Sequence, residues 1–327
     1  MGKSINKIGV LTSGGDAPGM NACIRAVVRT GIYHKLEMVG VMKGYQGLID
    51  NEFIPLPSHA VSNIIQRGGT ILKTARCLEF KTKEGREKAF KNLQAQKIDA
   101  LIVIGGDGTF SGAEVFSREF EVPVIGIPGT IDNDLFGTDF TIGFDTANNS
   151  VIQAIDQIRD TAASHNRLFF VEVMGRDAGV IALWAGIAGG SEAILIPEKE
   201  TAIDSLISKL TQGAENQKSS SIVVVAEGEK SGGALKIAEE VRRRFDHYDT
   251  KVTVLGHLQR GGSPTCFDRV LASRMGYAAV KALLNDVQGK MIGMVNNRMH
   301  FTELSLAISR HSPFDEELAE IAAVLSI

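Results

Sequence analysis

No stretch of the sequence restricts the fold more than Pro128-Gly129-Thr130-Ile131-Asp132-Asn133-Asp134, which directly follows the apolar run Val122-Pro123-Val124-Ile125-Gly126-Ile127. A short apolar run that stops at glycine and turn chemistry reads as a buried strand of a parallel sheet, and ligands of such sheets bind beyond the strands' carboxyl ends. Asp132 and Asp134 are therefore expected to face a site. The same grammar occurs one strand earlier, where Ala100-Leu101-Ile102-Val103-Ile104 runs into Gly105-Gly106-Asp107-Gly108-Thr109 and then into a helical pattern. Glycines let backbone approach phosphate closely, the helix N-terminus offers N–H groups, and a carboxylate among them can hold Mg²⁺ on phosphate oxygens. Two adjacent strand ends thus offer a phosphate cradle and a candidate base.

A chain of 327 residues exceeds the size at which a single core keeps growing, so two domains or two lobes sharing a cleft are expected. With 44% hydrophobic and 22% charged residues and a net charge of −3, the composition is that of an ordinary globular protein and gives no reason to propose nucleic acid or a membrane as partner. The three cysteines, Cys23, Cys77 and Cys266, lie far apart without CxxC spacing, which argues against a disulfide framework or zinc site and for a reducing compartment. The N-terminus has no signal-peptide pattern, and nowhere does a run of about 20 apolar residues occur, so the cytoplasm is the expected location.

Along the chain, Ile8–Thr12 reads as the first strand and Ser13–Asn21 as a glycine-rich loop feeding a helix. The loop lacks GxGxxG spacing, which disfavours a dinucleotide site. Leu36–Met42 reads as a strand, Ala60–Gln66 as a short helix and Glu84–Gln96 as a longer one. Asp145–Asn148 can cap a long helix to about Ser164, with Val151, Ile155 and Ile158 as a core stripe. Then the first half's pattern repeats: the strand from Arg167 to Val173 ends in Met174-Gly175-Arg176, a second strand ends at Glu227, and a third, Lys251–Leu255, runs into Gly256-His257-Leu258-Gln259-Arg260-Gly261-Gly262. Two Rossmann-like three-layer α/β lobes with mainly parallel sheets follow from this repetition. One would comprise residues 1–140 with about 256–305, the other about 141–255 with C-terminal helices. The helix Cys266–Leu284 and strand Met291–Val295 are expected to return to the first lobe, and the chain past Met299 to close as helices. Arg242-Arg243-Arg244 reads as a solvated helix face.

TSGGDAPGMN at 12–21, GGDGT at 105–109, PGTIDND at 128–134, MGR at 174–176 and GHLQRGGSP at 256–264 occur in that order. From Ile8 to about Met294 the chain resembles the bacterial ATP-dependent 6-phosphofructokinases. GGDGT alone is shared with NAD and lipid kinases; the other motifs are not explained by such a reading, and a non-catalytic sensor of the same fold would be marked by loss of Asp132. The resemblance implies phosphoryl transfer from MgATP to the 1-hydroxyl of fructose 6-phosphate, the committed step of glycolysis. Asp132 would be the base, supported by Thr130 and Asp134, while Arg76 and Arg176 stabilise the transferring group. Gly15, Arg76, Cys77, Gly106, Asp107, Gly108 and Thr109 would hold ATP, with Asp107 on Mg²⁺. Thr130, Ile131, Asp132, Met174, Gly175, Arg176 and Glu227 would line the sugar site. Arg167, Lys251, His257, Leu258, Gln259 and Arg260 would complete it around the 6-phosphate, Arg167 and Lys251 reaching from a neighbouring subunit of a homotetramer.

Arg25, Arg29, Arg159, Gly190, Ser191, Glu192 and Lys218 resemble an allosteric nucleotide site. Ser58, Ser219 and Ser220 replace basic residues of that pattern, so altered control by ADP and phosphoenolpyruvate is expected. Lys251 stands where the family carries arginine, exchanging a fork donor for a point charge. Gly108 and Gly129 stand where pyrophosphate-dependent relatives carry aspartate and lysine, which favours ATP as donor.

Overall fold

Alternation of side chains across a strand explains how one sheet serves two cores. The computed structural model describes residues 5–326 except 165, 217 and 219. Contacts divide the chain into two units: the first takes in the chain to Ile131, Leu135–Thr146 and Arg260–Ser312, the second Asp132–Asp134, Ala147–Gln259 and the chain from Pro313.

The first unit runs β1 (Lys7–Thr12), α1 (Met20–Tyr33), β2 (Glu37–Val41), α2 (Tyr45–Ile49), β3 (Phe53–Pro55), α3 (Lys83–Ala95), β4 (Ala100–Gly105), α4 (Asp107–Phe120) and β5 (Val124–Pro128). The helix α5 (Phe144–Ala163) leads into the second unit, with β6 (Arg167–Val173), α6 (Val180–Ala188), β7 (Ala193–Leu195), α7 (Ile203–Glu215), β8 (Ser221–Ala226), α8 (Gly233–Arg244) and β9 (Asp249–Val254). The chain then returns to the first unit with α9 (Cys266–Leu284), β10 (Lys290–Val295), β11 (Arg298–Glu303) and α10 (Leu304–Ser309), and α11 (Glu316–Leu325) belongs again to the second.

The first sheet has seven strands in the order β11-β10-β5-β4-β1-β2-β3, parallel except for its two edge pairings. Leu11, Val39, Val41, Leu101, Val103 and Val124 join Tyr45, Leu93, Phe110, Phe116 and Leu304 in one core. Their alternates Ile8, Val10, Ile102, Ile104, Ile125 and Ile127 are equally buried on the opposite face, where α1 and α9 pack on each other and on the sheet. The second sheet is all parallel, β7-β8-β6-β9. Leu168, Phe170, Val223 and Val225 meet Leu206, Leu210, Ile237 and Val241 from α7 and α8, and α6 covers the other face at β7 and β8. Burial on both faces explains why these strands read as unbroken apolar runs.

Three elements depart from the sequence reading. Residues 60–66 are not helical; only a 3₁₀ turn, Ser58–Val61, forms, because Asn63 takes a left-handed φ of 57°. Downstream, the Arg67 and Gly68 carbonyls accept from the Asn21 side chain at 3.1 and 3.0 Å. Past Met299 the chain does not go straight into helices: Arg298–Glu303 pairs antiparallel with β10 across Asn296 and Asn297, both at positive φ (49° and 60°), as a two-residue hairpin turn requires. The edge strand β3 is the third; its Pro55 fits an edge position, where no ladder donor is needed on one side. The α5 helix also begins one residue early, so Asp145 sits in its first turn.

Candidate functional site

In each sheet the strand order reverses once, and the loops that leave the sheet there are the expected ligand loops. In the first sheet the reversal lies between β1 and β4, whose loops are Ser13–Gly19 and Gly105–Thr109. They are clamped together: the buried Thr109 hydroxyl donates to the Ser13 carbonyl at 3.0 Å, and the Ser13 N–H to the Ile104 carbonyl at 3.0 Å. Beneath them the buried Tyr45 hydroxyl donates to the Thr109 carbonyl, and burial drives its pKa well above the ordinary tyrosine value. These braces use loop carbonyls, and a helix N-terminus such as that of α4 favours an anion; there the Thr109 and Phe110 N–H groups both point to the Gly106 carbonyl, at 2.9 and 3.1 Å.

Alongside, β5 pairs with β4 through Gly105 opposite Pro128, and the Gly129 N–H donates to the Gly105 carbonyl at 3.0 Å. The Thr130 carbonyl accepts from the Thr141 hydroxyl at 2.6 Å. Thr130 and Ile131 are buried, and the chain passes directly to Asp132, which is 4% exposed, then through Asn133 in the left-handed region to a half-buried Asp134. The phosphate-type loop and the segment bearing the candidate base therefore leave neighbouring strands.

The glycines of these loops differ. A Cβ at Gly108 would meet nothing within 4 Å, so this position opens onto unfilled space. A Cβ at Gly129 would come within 2.9 Å of Ile104 Cγ2 and 3.2 Å of Met20 Cε, so packing keeps it small. Gly15 lies under Arg260: a Cβ there would approach Nη1 to 2.6 Å, and that nitrogen donates to the Asp16 carbonyl at 3.1 Å. Within the first unit, Arg260 thus sits against the first glycine loop, although the sequence groups it with the sugar-phosphate residues. Arg76 is exposed in an extended loop with Cys77, whose thiol pKa is raised mainly by partial burial. Asp107 occupies the first turn of α4, half-buried. No cluster of three or more His, Cys, Asp and Glu suited to a metal occurs among the described residues. This donor set fits Mg²⁺, which binds through one or two carboxylates and substrate phosphates rather than in an all-protein cage.

In the second sheet the reversal lies between β6 and β9. Here the clamp is the Gln259 side chain, 1% exposed, which accepts from the Met174 N–H at 3.2 Å and donates to the Gly256 carbonyl at 3.0 Å. Gln259 therefore braces the loop through its side chain. At the end of β8 the exposed Glu227 accepts from the Arg176 N–H at 2.7 Å and the Gly175 N–H at 3.3 Å. Gly175, at φ 144°, has no room for a Cβ, which would lie 2.3 Å from the Ala178 carbonyl. Arg176 adopts φ 53° with its side chain exposed, as are His257 and Leu258.

Arg167 and Lys251 lie elsewhere. Arg167 opens β6 opposite Asp249, and Lys251 lies opposite Phe169, near the strands' amino ends. One β6 length, roughly 20 Å at about 3.3 Å per residue, separates Arg167 from the Met174–Arg176 loop. Asp249 links both cations: Lys251 Nζ at 2.8 Å and Arg167 Nε at 3.5 Å. Its carboxyl lies below the usual range, chiefly through the Lys251 hydrogen bond. The sequence reading missed Asp249, although Asp249 and Lys251 alternate onto one face of a strand.

Of the residues resembling an effector site, Arg25 and Arg29 lie one turn apart on α1; partial burial first, then Arg29, lowers the Arg25 pKa. The others lie in the second unit. Arg159 donates to the Gly189 and Gly190 carbonyls at 2.5 and 2.9 Å. Ser191 and Glu192 are buried, and the Glu192 carboxylate accepts from the Ile222 N–H at 2.5 Å, with Lys218 Nζ 4.0 Å away. Ser58 is exposed in the 3₁₀ turn; Ser219 lies outside the described residues.

Residues 7–283 match the family model described as Phosphofructokinase. The chain belongs to the phosphofructokinase family. Curated phosphofructokinases extend the likeness over the full length: the "ATP-dependent 6-phosphofructokinase 2" of Bacteroides thetaiotaomicron is 55% identical over 99% of both chains. The "ATP-dependent 6-phosphofructokinase" of Cytophaga hutchinsonii is 51% identical over 98% of both. Among solved structures, phosphofructokinase from Saccharomyces cerevisiae superposes with a TM-score of 0.89 at 35% identity, covering 98% of this chain and 48% of the yeast chain. Two Rossmann-like α/β units are thus the fold of this family as well as of this chain.

Proposed function

We propose that the chain transfers the terminal phosphoryl group of ATP to the 1-hydroxyl of fructose 6-phosphate, giving fructose 1,6-bisphosphate and ADP, as an ATP-dependent 6-phosphofructokinase of glycolysis. The observation that carries this reading is the pairing of β4 with β5, by which the glycine-rich anion loop and the chain leading to Asp132 leave neighbouring strand ends. Asp132 takes the proton of the attacking hydroxyl, and Thr130 and Asp134 hold the segment in place. Gly15, Gly106, Gly108 and the N-terminus of α4 receive the nucleotide phosphates, with Cys77 and Thr109 beside them. Mg²⁺, held by Asp107 and the phosphates, supplies neutralisation of charge on the transferring group. Arg76 and Arg176 are fixed cations for that group, and Glu227, Met174 and Gly175 accept the sugar.

The 6-phosphate falls to His257 and Arg260 from the same chain and to Arg167 and Lys251 from a neighbouring copy. This division is supported by the length of β6 that keeps Arg167 away from the carboxyl-end loops of its own chain. A homotetramer in the cytoplasm is the proposed assembly; no helix among the described residues is long and apolar enough to cross a membrane. Nucleotide effectors would act at Arg25, Arg29, Arg159, Gly190, Ser191, Glu192 and Lys218, with responses to ADP and phosphoenolpyruvate weakened by Ser58, Ser219 and Ser220.

The open space at Gly108 supports ATP over pyrophosphate. Assaying the purified chain with Mg²⁺ and each donor against a panel of sugar phosphates tests the reading. Turnover is expected with ATP and fructose 6-phosphate; turnover with pyrophosphate alone, or with no sugar phosphate, would overturn it.

A further inference from the structure

Away from every loop discussed so far, the second unit carries a half-open pocket of about 180 Å³ under its C-terminal helix. Its floor is Leu183, Leu195 and Leu206, from α6, β7 and α7. The room exists because α11 turns small side chains toward it, Ala319, Ala322 and Ala323, at helical spacing. The polar part of the lining is cationic or hydroxylic, Lys199, Lys209 and Ser326 among it, and no acidic side chain contributes.

Lys209 decides the chemistry. It is half-buried and donates to the Ser326 hydroxyl, and no carboxylate among the described residues forms an ion pair with it. Partial burial, and next the positive charge of Lys218, lower its pKa, while Glu192 partly offsets them. A desolvated ammonium whose partner among the described residues is a hydroxyl is stabilised when a carboxylate joins it, because a charge-assisted hydrogen bond replaces a weaker one. The apolar floor excludes a bare inorganic anion as a full occupant and calls for a hydrocarbon body. An apolar cavity of about 150 Å³ holds a benzene-sized molecule, which sets the scale.

We propose that this cavity binds a small carboxylic acid with an apolar body of about one ring, its carboxylate on Lys209 and its body against Leu195, Leu206 and the α11 alanines. Neither the phosphoryl-transfer residues nor the effector-like residues line it, so binding can be read without turnover.

The test is a ligand-observed NMR titration of the purified full-length chain with benzoate, and in parallel with 4-methylpentanoate and uncharged benzyl alcohol. Saturable binding of a carboxylate is expected, with benzyl alcohol at least tenfold weaker. Lys209→Met should weaken the carboxylate at least tenfold and leave benzyl alcohol nearly unchanged. Ala322→Leu, which fills the space from α11, should weaken all three ligands with turnover intact, and so separates loss of the site from loss of the fold. The proposal is overturned if neither carboxylate saturates the wild-type chain, or if both variants bind as the wild type does.

Discussion

The two reversal points are built alike and braced oppositely. In the first sheet, side chains donate into loop carbonyls: Thr109 to Ser13, Tyr45 to Thr109, Arg260 to Asp16. In the second, side chains chiefly accept from loop N–H groups, Gln259 from Met174 and Glu227 from Gly175 and Arg176, with Gln259 also donating to the Gly256 carbonyl. The first arrangement occupies loop carbonyls beside a helix N-terminus and suits an anion, whereas the second takes up N–H groups and presents a carboxylate, which suits hydroxyl groups. One strand-loop-helix grammar is thereby directed to phosphate in one unit and to a polyol in the other.

The comparison breaks at once if the loops do not frame this chemistry. Asp132→Asn should lower kcat by about 10²–10⁴-fold, the range of a lost general base. The KM for ATP should change by less than about threefold, since a group that acts only in the transition state leaves ground-state binding alone. Retained turnover in steady-state assays would detach Asp132 from the reaction.

Two variants sharpen the contrast by acting on one brace each. Glu227→Gln keeps an acceptor but loses the charge that holds the Gly175 and Arg176 N–H groups. Charge-assisted bonds are worth about 1.5–3 kcal/mol, so the KM for fructose 6-phosphate should rise about ten- to hundredfold while that for ATP stays put. Thr109→Val leaves the Ser13 carbonyl without its donor; at about 1 kcal/mol, the KM for ATP should rise roughly fivefold and that for the sugar should not. A uniform change of both constants in either variant would mean that the braces hold the fold and not distinct ligand loops.

Most of this was legible from the chain alone because buried parallel strands advertise themselves: apolar runs ending in glycine and charge located β1, β4, β5, β6, β8 and β9 and the loops beyond them. What stayed hidden depends on distance in sequence. The Gln259 to Met174 bond spans 85 residues and the Thr109 to Ser13 bond 96, and nothing local in either segment announces the partner. The β10–β11 hairpin was legible in principle, since Asn296-Asn297 is turn chemistry, but polar residues such as Arg298, His300 and Glu303 gave β11 no apolar run. The cavity under α11 could not be read at all, because alanines at helical spacing pack far more often than they leave room.

The mildest test concerns α5, whose first turn belongs to one unit and whose remainder belongs to the other. Asp268 holds that turn, accepting from the Gly143 and Thr146 N–H groups at 2.8 Å each and from the Thr146 hydroxyl at 2.5 Å. Fully buried, it is pulled both ways: desolvation raises its pKa, to about 6, against the lowering effect of those three donors. A carboxyl with a raised folded-state pKa favours the folded state fully below its unfolded value of about 3.9, and that contribution is lost as pH rises through the folded value. Wild type should therefore gain on Asp268→Asn, which does not titrate, by roughly 1 kcal/mol between pH 7 and pH 5, or about 1–2 °C in thermal midpoint. Turnover at pH 7.5 should be little changed. If the wild type instead loses ground to the variant on acidification, the three donors outweigh burial, Asp268 is held ionised, and α5 is pinned by a charged cap in the same manner as the Glu227 brace.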